Sequence, residues 1–455
     1  MSSTRQPLSI HLAKRTIFIR GPKRFRLVAW ALVGVALVVL ILALVMPYWL
    51  PHTIRMVVPD RYIVAYAPKF IQNALYAQES TDLGSNFSPQ GSSQDAARLQ
   101  SLLATPTASA TSAAPIGTRV AAQPAASPTA SATAWPPAPP SFSLGQSNFK
   151  ETYQGWNNCG PATLTMYLNY LGVPSTQEVV AAYVKPNPED RNVRPDELAG
   201  YVESVGLKVI VRIDGTPELL KRFISHGYPI MVEQGFEVPN VPGWMGHYAL
   251  FYAYSDTDQA FYAMDSYEGP AHAYTYDHIQ TYWRDFNRTY LVAYRPQQAA
   301  EVASLIGPDM DDKTMYENAL EVAKNDVSSS PGDVFGWWNL GSSLVGLGDN
   351  ANAAAAFDAS FNTGKVPQRM LWYQFGPFVA YMGVGRYKDV VNLADDVISR
   401  AGWEDPYSEE AYYYKAMAYS AQGDTYNAER QLQLALLYNK HYKTAQDALN
   451  KLIQQ

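Results

Sequence analysis

Hydrophobic residues follow four patterns along the chain, and each pattern predicts a different kind of segment. Residues 27–46 form an apolar run without a charge, which is long enough for a transmembrane helix. Residues 81–145 are rich in Ser, Ala, Thr and Pro, a composition that predicts a disordered linker. Residues 146–297 alternate helical periodicity with strand-like runs, whereas residues 311–455 are predicted to be helical.

The residues around the apolar run predict its orientation. Residues 1–26 carry seven Lys and Arg side chains and no acidic residue. Basic flanks remain in the cytoplasm, so we expect a single-pass protein of the bacterial cell membrane with extracytoplasmic C-terminal domains. Residues 47–80 are then a juxtamembrane segment. The alternative is a cleaved signal peptide, although residues 44–48 make a poor cleavage site.

The middle region contains the only cysteine of the chain, Cys159. The residues that follow it show helical spacing, and Pro161 suits a first helical turn. Cys159 is therefore predicted at or just before a helix N-terminus, where the helix dipole favours a thiolate. The amide of Gln154 can donate a hydrogen bond into the same space, as acyl transfer through sulfur requires. The alternative is that Cys159 is a small buried core residue.

Two strand-like runs around a short polar turn predict a hairpin later in this region. One run opens with His247 and the other closes with Asp265, so both residues lie at the same end of the sheet. Their register can also place them on one face, as cross-strand neighbours. An imidazole beside a carboxylate is the oriented base of a Cys-His-Asp triad. Taken singly, each has an ordinary interpretation, as a strand-end histidine and as a turn cap.

Composition and motifs weigh against several other classes of function. The net charge of −6 gives no support to a nucleic-acid partner. The chain has neither a GxxxxGK[ST] nor a GxGxxG motif, and it has no HExxH motif or pair of cysteines. We therefore expect no cofactor and no metal ion.

The residues around Cys159, His247 and Asp265 resemble those of the C39-like cysteine peptidases, papain-like domains related to the peptidases that process bacteriocin leaders. The resemblance covers roughly residues 146–297. It rests on four short stretches, which are Gln154, Asn158-Cys159-Gly160-Pro161-Ala162, Gly246-His247-Tyr248-Ala249 and Ala263-Met264-Asp265.

The resemblance implies an α+β papain-like fold, in which a Cys-bearing helix packs against an antiparallel sheet. It also implies a role for each residue of the site. Cys159 is the nucleophile, His247 is the general base and acid, Asp265 orients His247, and Gln154 is the oxyanion donor. Ser266 follows the acid here, whereas the family often has proline at that position. No exporter domain accompanies the peptidase region, so leader processing is not expected and the substrate stays open.

Glycines recur in the C-terminal region at a regular interval. Gly348, Gly385 and Gly423 fit the tight turns between paired helices, with small and aromatic residues around them. The pattern resembles tetratricopeptide repeats, which are helix pairs of about 34 residues. It predicts an all-α TPR-like solenoid with a surface suited to a protein or peptide partner. An irregular helical bundle is the alternative.

Together these patterns predict a membrane-anchored, extracytoplasmic cysteine peptidase that hydrolyses a peptide or protein substrate. The TPR-like module would bind a protein partner. Two alternatives stay open. One is a catalytically inactive papain-like/TPR surface scaffold that only binds, and the other is a transglutaminase-like acyl transferase, because the same triad can transfer an acyl group to an amine.

Overall fold

The computed structural model describes residues 66–68, 87–91, 93–104, 135–237, 243–399 and 408–454. All of these belong to one compact unit, Arg55–Gln455. The predicted basic segment 1–26 and the predicted membrane span 27–46 lie outside the described residues, as does most of the juxtamembrane segment 47–80.

Part of the predicted disordered linker is ordered, which corrects that prediction. Helix α1 (Ser93–Ala104) packs against the C-terminal helical region. Phe87 and Leu99 are buried in the hydrophobic core of that region. Further along, Trp135 packs edge to face against His226 and donates a hydrogen bond to the carbonyl of Ser304 at 2.9 Å. The few large apolar residues of the segment thus find partners that its average composition does not reveal.

Residues 141–294 form an α+β domain around an antiparallel sheet. The strands run in the order β2-β7-β3-β4-β5-β6, with β1 paired to β4. They are β1 (Ser141–Ser143), β2 (Lys208–Arg212), β3 (Ile230–Phe236), β4 (Met245–Ser255), β5 (Ala260–Asp265), β6 (Gly269–Thr275) and β7 (Tyr290–Tyr294). The helices are α2 (Cys159–Tyr170), α3 (Gln177–Val184), α4 (Pro195–Ser204), α5 (Pro217–Ser225) and α6 (Tyr276–Tyr282).

Helices cover both faces of this sheet, and strand alternation decides which residues face which helix. On β4, Tyr248 and Leu250 pack in one core cluster with residues of α2. Ala249 and Phe251 pack in a second cluster with residues of α5. The predicted hairpin is confirmed, because β4 pairs with β5 in antiparallel register.

The C-terminal region is helical. Its helices are α7 (Ala299–Ile306), α8 (Asp312–Ser329), α9 (Val334–Gly346), α10 (Asn350–Asn362), α11 (Met370–Tyr373), α12 (Gly376–Gly383), α13 (Tyr387–Ser399), α14 (Glu409–Ala421), α15 (Thr425–Tyr438) and α16 (Lys443–Ile453). Gly348, Gly385 and Gly423 each follow a helix with a positive φ of 76–80°. After each glycine, the next backbone N–H bonds back five residues, as in a Schellman turn. The glycine turns are thus confirmed, and the assignment to tetratricopeptide repeats stays a prediction.

The structure corrects the predicted fold class, which included a transmembrane helix, and the predicted single-pass localisation. It shows an α+β domain with an antiparallel sheet and a helical C-terminal region. Among the described residues, no helix is both long enough and apolar enough to cross a bilayer. The longest described helix, α8, has 18 residues but carries six charged side chains, which a bilayer would not accommodate.

The α+β domain and the helical region share apolar and polar contacts. Trp244 and Phe286 join the hydrophobic core of the helical region. Asn287 Nδ2 donates to the hydroxyl of Ser343 at 3.1 Å. Elsewhere in the interface, the guanidinium of Arg194, the N-cap residue of α4, pairs with the carboxylate of Glu410 on α14. The two regions therefore form a continuous structure, in which residues of one can contribute to a site in the other.

The stability of the fold should depend on pH through the acidic side chains around the Arg194–Glu410 ion pair. Burial raises the pKa of Glu197 to about 8 although Arg194 opposes it, and Glu410 raises it further. Glu409 lies in the same group. A carboxyl with a raised folded-state pKa stabilises the fold below its unfolded pKa, here near 4.5, and this stabilisation is lost as the pH rises to about 8.

We therefore expect Glu197→Gln to flatten the decline of the melting temperature between about pH 5 and pH 8. Each unit of pKa shift corresponds to about 1.4 kcal/mol, so the parent should lose on the order of a few kcal/mol over this range. Thermal melts at a series of pH values measure it. Glu203→Gln, an exposed change on the same helix, is the matched control. Parallel pH profiles for the parent and Glu197→Gln would contradict the prediction.

Candidate active site

His247 and Asp265 meet at one end of the hairpin. Ala249 lies opposite Asp265, and His247 lies two residues before Ala249 on β4, on the same face of the sheet. Nε2 of His247 lies 2.8 Å from Oδ2 of Asp265, and both side chains are almost completely buried. The carboxylate thus orients the imidazole ring and leaves Nδ1 as the nitrogen for another group.

The carboxylate of Asp265 accepts four hydrogen bonds. Besides the bond from His247, Oδ2 accepts one from the hydroxyl of Tyr274 at 2.6 Å. Oδ1 accepts two from the backbone N–H groups of Tyr267 and Glu268, each at 2.7 Å. Burial would raise the pKa of Asp265, but the charge of His247 and these hydrogen bonds lower it to about 2. Asp265 is therefore an anion that stabilises a positive charge on His247.

Cys159 is the first residue of α2, and its partly exposed thiol lines the same cleft as His247. Desolvation in the cleft would raise the pKa of the thiol, but the hydrogen bond and charge of His247 lower it below the ordinary value of 9.0. Desolvation likewise opposes protonation of His247, yet Asp265 and Cys159 raise its pKa to about 10. The site therefore favours a thiolate beside an imidazolium.

Gln154 lies in the same cleft and is held by Ser266, the residue after the acid. The backbone N–H of Gln154 donates to the carbonyl of Ser266 at 2.8 Å. The Ser266 hydroxyl donates to the carboxamide oxygen of Gln154 at 2.9 Å, and Thr163 on α2 donates to that hydroxyl at 3.4 Å. Because the carboxamide oxygen is engaged, the amide nitrogen is the end of Gln154 that is left for a ligand.

The structure therefore brings the four predicted residues together. Cys159, His247 and Gln154 line one cavity of about 80 Å³, and Asp265 lies behind His247. Sequence analysis missed Glu233 on β3, a buried strand, which lines the same cavity. Burial raises the pKa of Glu233 well above its usual range. A hydrogen bond to Tyr248 opposes this shift, and the negative charge of Cys159 adds to it. The surroundings of Glu233 thus favour its neutral form near the nucleophile.

The helical region supplies one wall of the cavity, which sequence analysis also missed. Arg369, Trp372 and Tyr373, from α11 and the residue before it, line the cavity opposite residues of the α+β domain. The ring of Tyr373 lies against Gly246, where a Cβ atom would be only 3.3 Å from it. No motif in the sequence marks this segment, because its role depends on tertiary contacts.

Acidic side chains close enough to hold a metal ion lie outside the cavity. Among the described residues, one such group is found, formed by Glu197, Glu409 and Glu410. None of the three lines the cavity. Arg194, bonded to Glu410, already compensates part of their charge.

Removal of the imidazole should slow the reaction of the thiol. In His247→Ala, desolvation still raises the pKa of Cys159, but the group that lowers it is gone. We therefore expect iodoacetamide to alkylate the variant at least about tenfold more slowly than the parent at pH 7, since only the thiolate reacts. Mass spectrometry of the intact protein measures the rate. His441→Ala, which removes an exposed histidine, is the control. Equal rates for His247→Ala and the parent would contradict the prediction that His247 lowers the pKa of the Cys159 thiol.

Part of the chain is similar to a known protein family. Residues 144–294 match the Peptidase_C39 like family, a range that contains Gln154, Cys159, His247 and Asp265. No curated protein matches the chain. The family match covers the sheet from β2 to β7 together with the helix that carries Cys159. The α+β domain is therefore similar to the C39-like family over this range.

Proposed function

We propose that the α+β domain is a cysteine peptidase that hydrolyses peptide bonds in a peptide or protein substrate. The observation that carries this proposal is the position of His247 between the carboxylate of Asp265 and the thiol of Cys159. The similarity of residues 144–294 to C39-like peptidases supports it. The domain boundaries that we propose are 146–297 for the peptidase and 311–455 for the helical module.

In the first half of the reaction, the Cys159 thiolate attacks the carbonyl carbon of the scissile bond. The oxyanion that forms is stabilised by the amide nitrogen of Gln154 and the backbone N–H of Cys159, which has no intrahelical acceptor in the first turn of α2. The imidazolium of His247 donates its proton to the departing nitrogen as the C–N bond breaks. The products are a free amine and a thioester on Cys159.

In the second half, neutral His247 takes a proton from water, whose oxygen attacks the thioester. Collapse of the second tetrahedral intermediate releases the acid and restores the thiolate. Asp265 keeps the same ring nitrogen of His247 occupied throughout, so that the other nitrogen exchanges the proton.

The helical region is, in this proposal, a TPR-like module that binds a protein or peptide partner. Three glycine turns of the same geometry connect its helix pairs. Stacked helix pairs form extended surfaces suited to such partners. The module also contributes Arg369, Trp372 and Tyr373 to the catalytic cavity.

Replacement of Cys159 by alanine should abolish hydrolysis and leave the fold intact, since only a sulfur atom at the helix start is lost. Digestion of a peptide library by the full chain, followed by mass spectrometry, measures the activity, and circular dichroism verifies the fold. Ser204→Ala, an exposed change on α4, should cleave like the parent. A Cys159→Ala protein that cleaves as fast as the parent would refute the assignment. A parent without activity would favour the binding scaffold, and amine adducts would favour acyl transfer.

Loss of the Ser266 hydroxyl should lower kcat with little change in KM, because it holds the carboxamide of Gln154 without lining the cavity. Removal of an oxyanion donor typically costs 10²–10³ in kcat, so a misplaced donor in Ser266→Ala should cost about tenfold. The double variant Gln154→Ala/Ser266→Ala should be no slower than Gln154→Ala alone. Additive losses would show that Ser266 acts independently of Gln154.

A further inference from the structure

One buried cation of the α+β domain has no role in the proposed mechanism. Lys185 directly follows helix α3, and only 3% of it is exposed. A lysine is seldom buried to this degree unless it is paired, because removal of a charge from water is costly. Its Nζ donates to the carbonyl of Asn157 at 2.8 Å and to that of Asp190 at 2.9 Å. The cation therefore holds the backbone two positions before Cys159.

The chain turns sharply at the point that Lys185 holds. Asn157 has a positive φ of 52°, a conformation that is uncommon for residues other than glycine. The backbone N–H of the next residue, Asn158, bonds back to the carbonyl of Gly155 at 3.2 Å. Asn157 and Cys159 both line the cavity. A shift of this turn would therefore move the start of α2 and the backbone N–H of Cys159, a proposed oxyanion donor.

The other end of helix α3 holds the same loop. Gln177, the first residue of α3, accepts a hydrogen bond from the backbone N–H of Gly155 at 2.9 Å. Its amide nitrogen donates to the carbonyl of Tyr153 at 2.8 Å. A neutral side chain thus suffices to make two bonds to the loop. The two hydrogen bonds of Lys185 therefore do not by themselves explain why a charged residue is buried there.

The charge of Lys185 depends on the groups that face it. Burial lowers the pKa of Lys185 to about 8, so the ammonium form is favoured at pH 7. Three nearby groups raise this pKa and one lowers it further, and these are Asp190, Cys159 and Glu189 on the one hand and Arg191 on the other. A cation is thus retained inside the domain.

This cation acts in turn on the nucleophile. Burial raises the pKa of the Cys159 thiol, and His247 is the main group that lowers it. The charge of Lys185 lowers it further. Lys185 itself does not line the cavity, so it favours the thiolate without contact to a ligand.

We propose that Lys185 is a positioning residue of the active site, which fixes the loop before Cys159 and keeps a cation near the thiolate. Its two hydrogen bonds to backbone carbonyls fix the loop, and its burial protects the charge from screening by salt. The same cation favours the oxyanion that forms beside the sulfur atom. The effect on the oxyanion rests on the proposed peptidase function, whereas the effect on the thiol requires no substrate.

The variant Lys185→Met removes the charge and keeps an unbranched side chain of similar length. The measurement is the rate at which iodoacetamide alkylates Cys159 from about pH 4 to about pH 10, followed by mass spectrometry of the intact protein. We expect the lower midpoint of this profile to rise by about one unit, because the thiolate loses a nearby buried charge. Lys208→Met, an exposed change on β2, should leave the midpoint in place. Lys185→Arg, which retains the charge, should also keep it.

A second neutral variant and a second measurement support this test. Lys185→Gln can retain one hydrogen bond to the loop if Lys185→Met does not fold, which circular dichroism verifies. It should show the same rise of the midpoint. In either neutral variant, kcat for hydrolysis of a peptide substrate should fall by about tenfold with little change in KM, because Lys185 does not line the cavity.

An unchanged midpoint in a folded neutral variant, or an equal rise in Lys185→Arg, would overturn the inference. So would failure of both neutral variants to fold, since Lys185 would then be a structural residue only. The proposed function fails differently. A raised midpoint in Lys185→Met, with no hydrolysis by the parent, would refute the peptidase activity and retain the role of Lys185 at the thiol. Hydrolysis by the parent, with equal midpoints and equal kcat for the parent and Lys185→Met, would do the reverse.

Discussion

A carboxylate removed from solvent is stable only when its oxygens are hydrogen bonded, and Asp265 meets this condition with four donors. The anion stabilises the imidazolium form of His247, and that cation stabilises a thiolate at Cys159. The thiolate thus depends on the imidazolium, and the imidazolium depends on the carboxylate. Tyr274, which donates to Asp265, therefore supports the nucleophile although Asp265 and His247 lie between it and the thiol.

The cavity depends equally on how the helical region is held against the α+β domain. Asp285 is the centre of one such contact. Its carboxylate accepts a hydrogen bond from the indole of Trp244 at 2.8 Å, and its carbonyl accepts one from Gln374, directly after α11, at 2.9 Å. A side chain at Gly235 would collide with both Asp285 and Trp244, which explains the glycine on β3. This contact fixes α11 beside the strand that carries Glu233.

Features decided by nearby residues were predictable from the sequence. The helix start at Cys159, the hairpin that carries His247 and the glycine turns follow from periodicity and backbone preferences within a few positions. The bond from Ser266 to Gln154 joins residues 112 positions apart, and the stack of Arg191 on Trp372 joins two separate regions. Periodicity contains no information about such pairs. The average composition of the linker also does not reveal the few apolar residues that order part of it.

The electrostatics of the cavity also favour the neutral form of Glu233. Burial raises the pKa of Glu233, and a thiolate at Cys159 raises it further because it disfavours a second anion beside it. The negative charges that the cavity can accept are then the thiolate and those that the substrate brings or develops. The dipole of α2 favours such charges. The arrangement therefore suits the oxyanion that forms when the thiolate attacks.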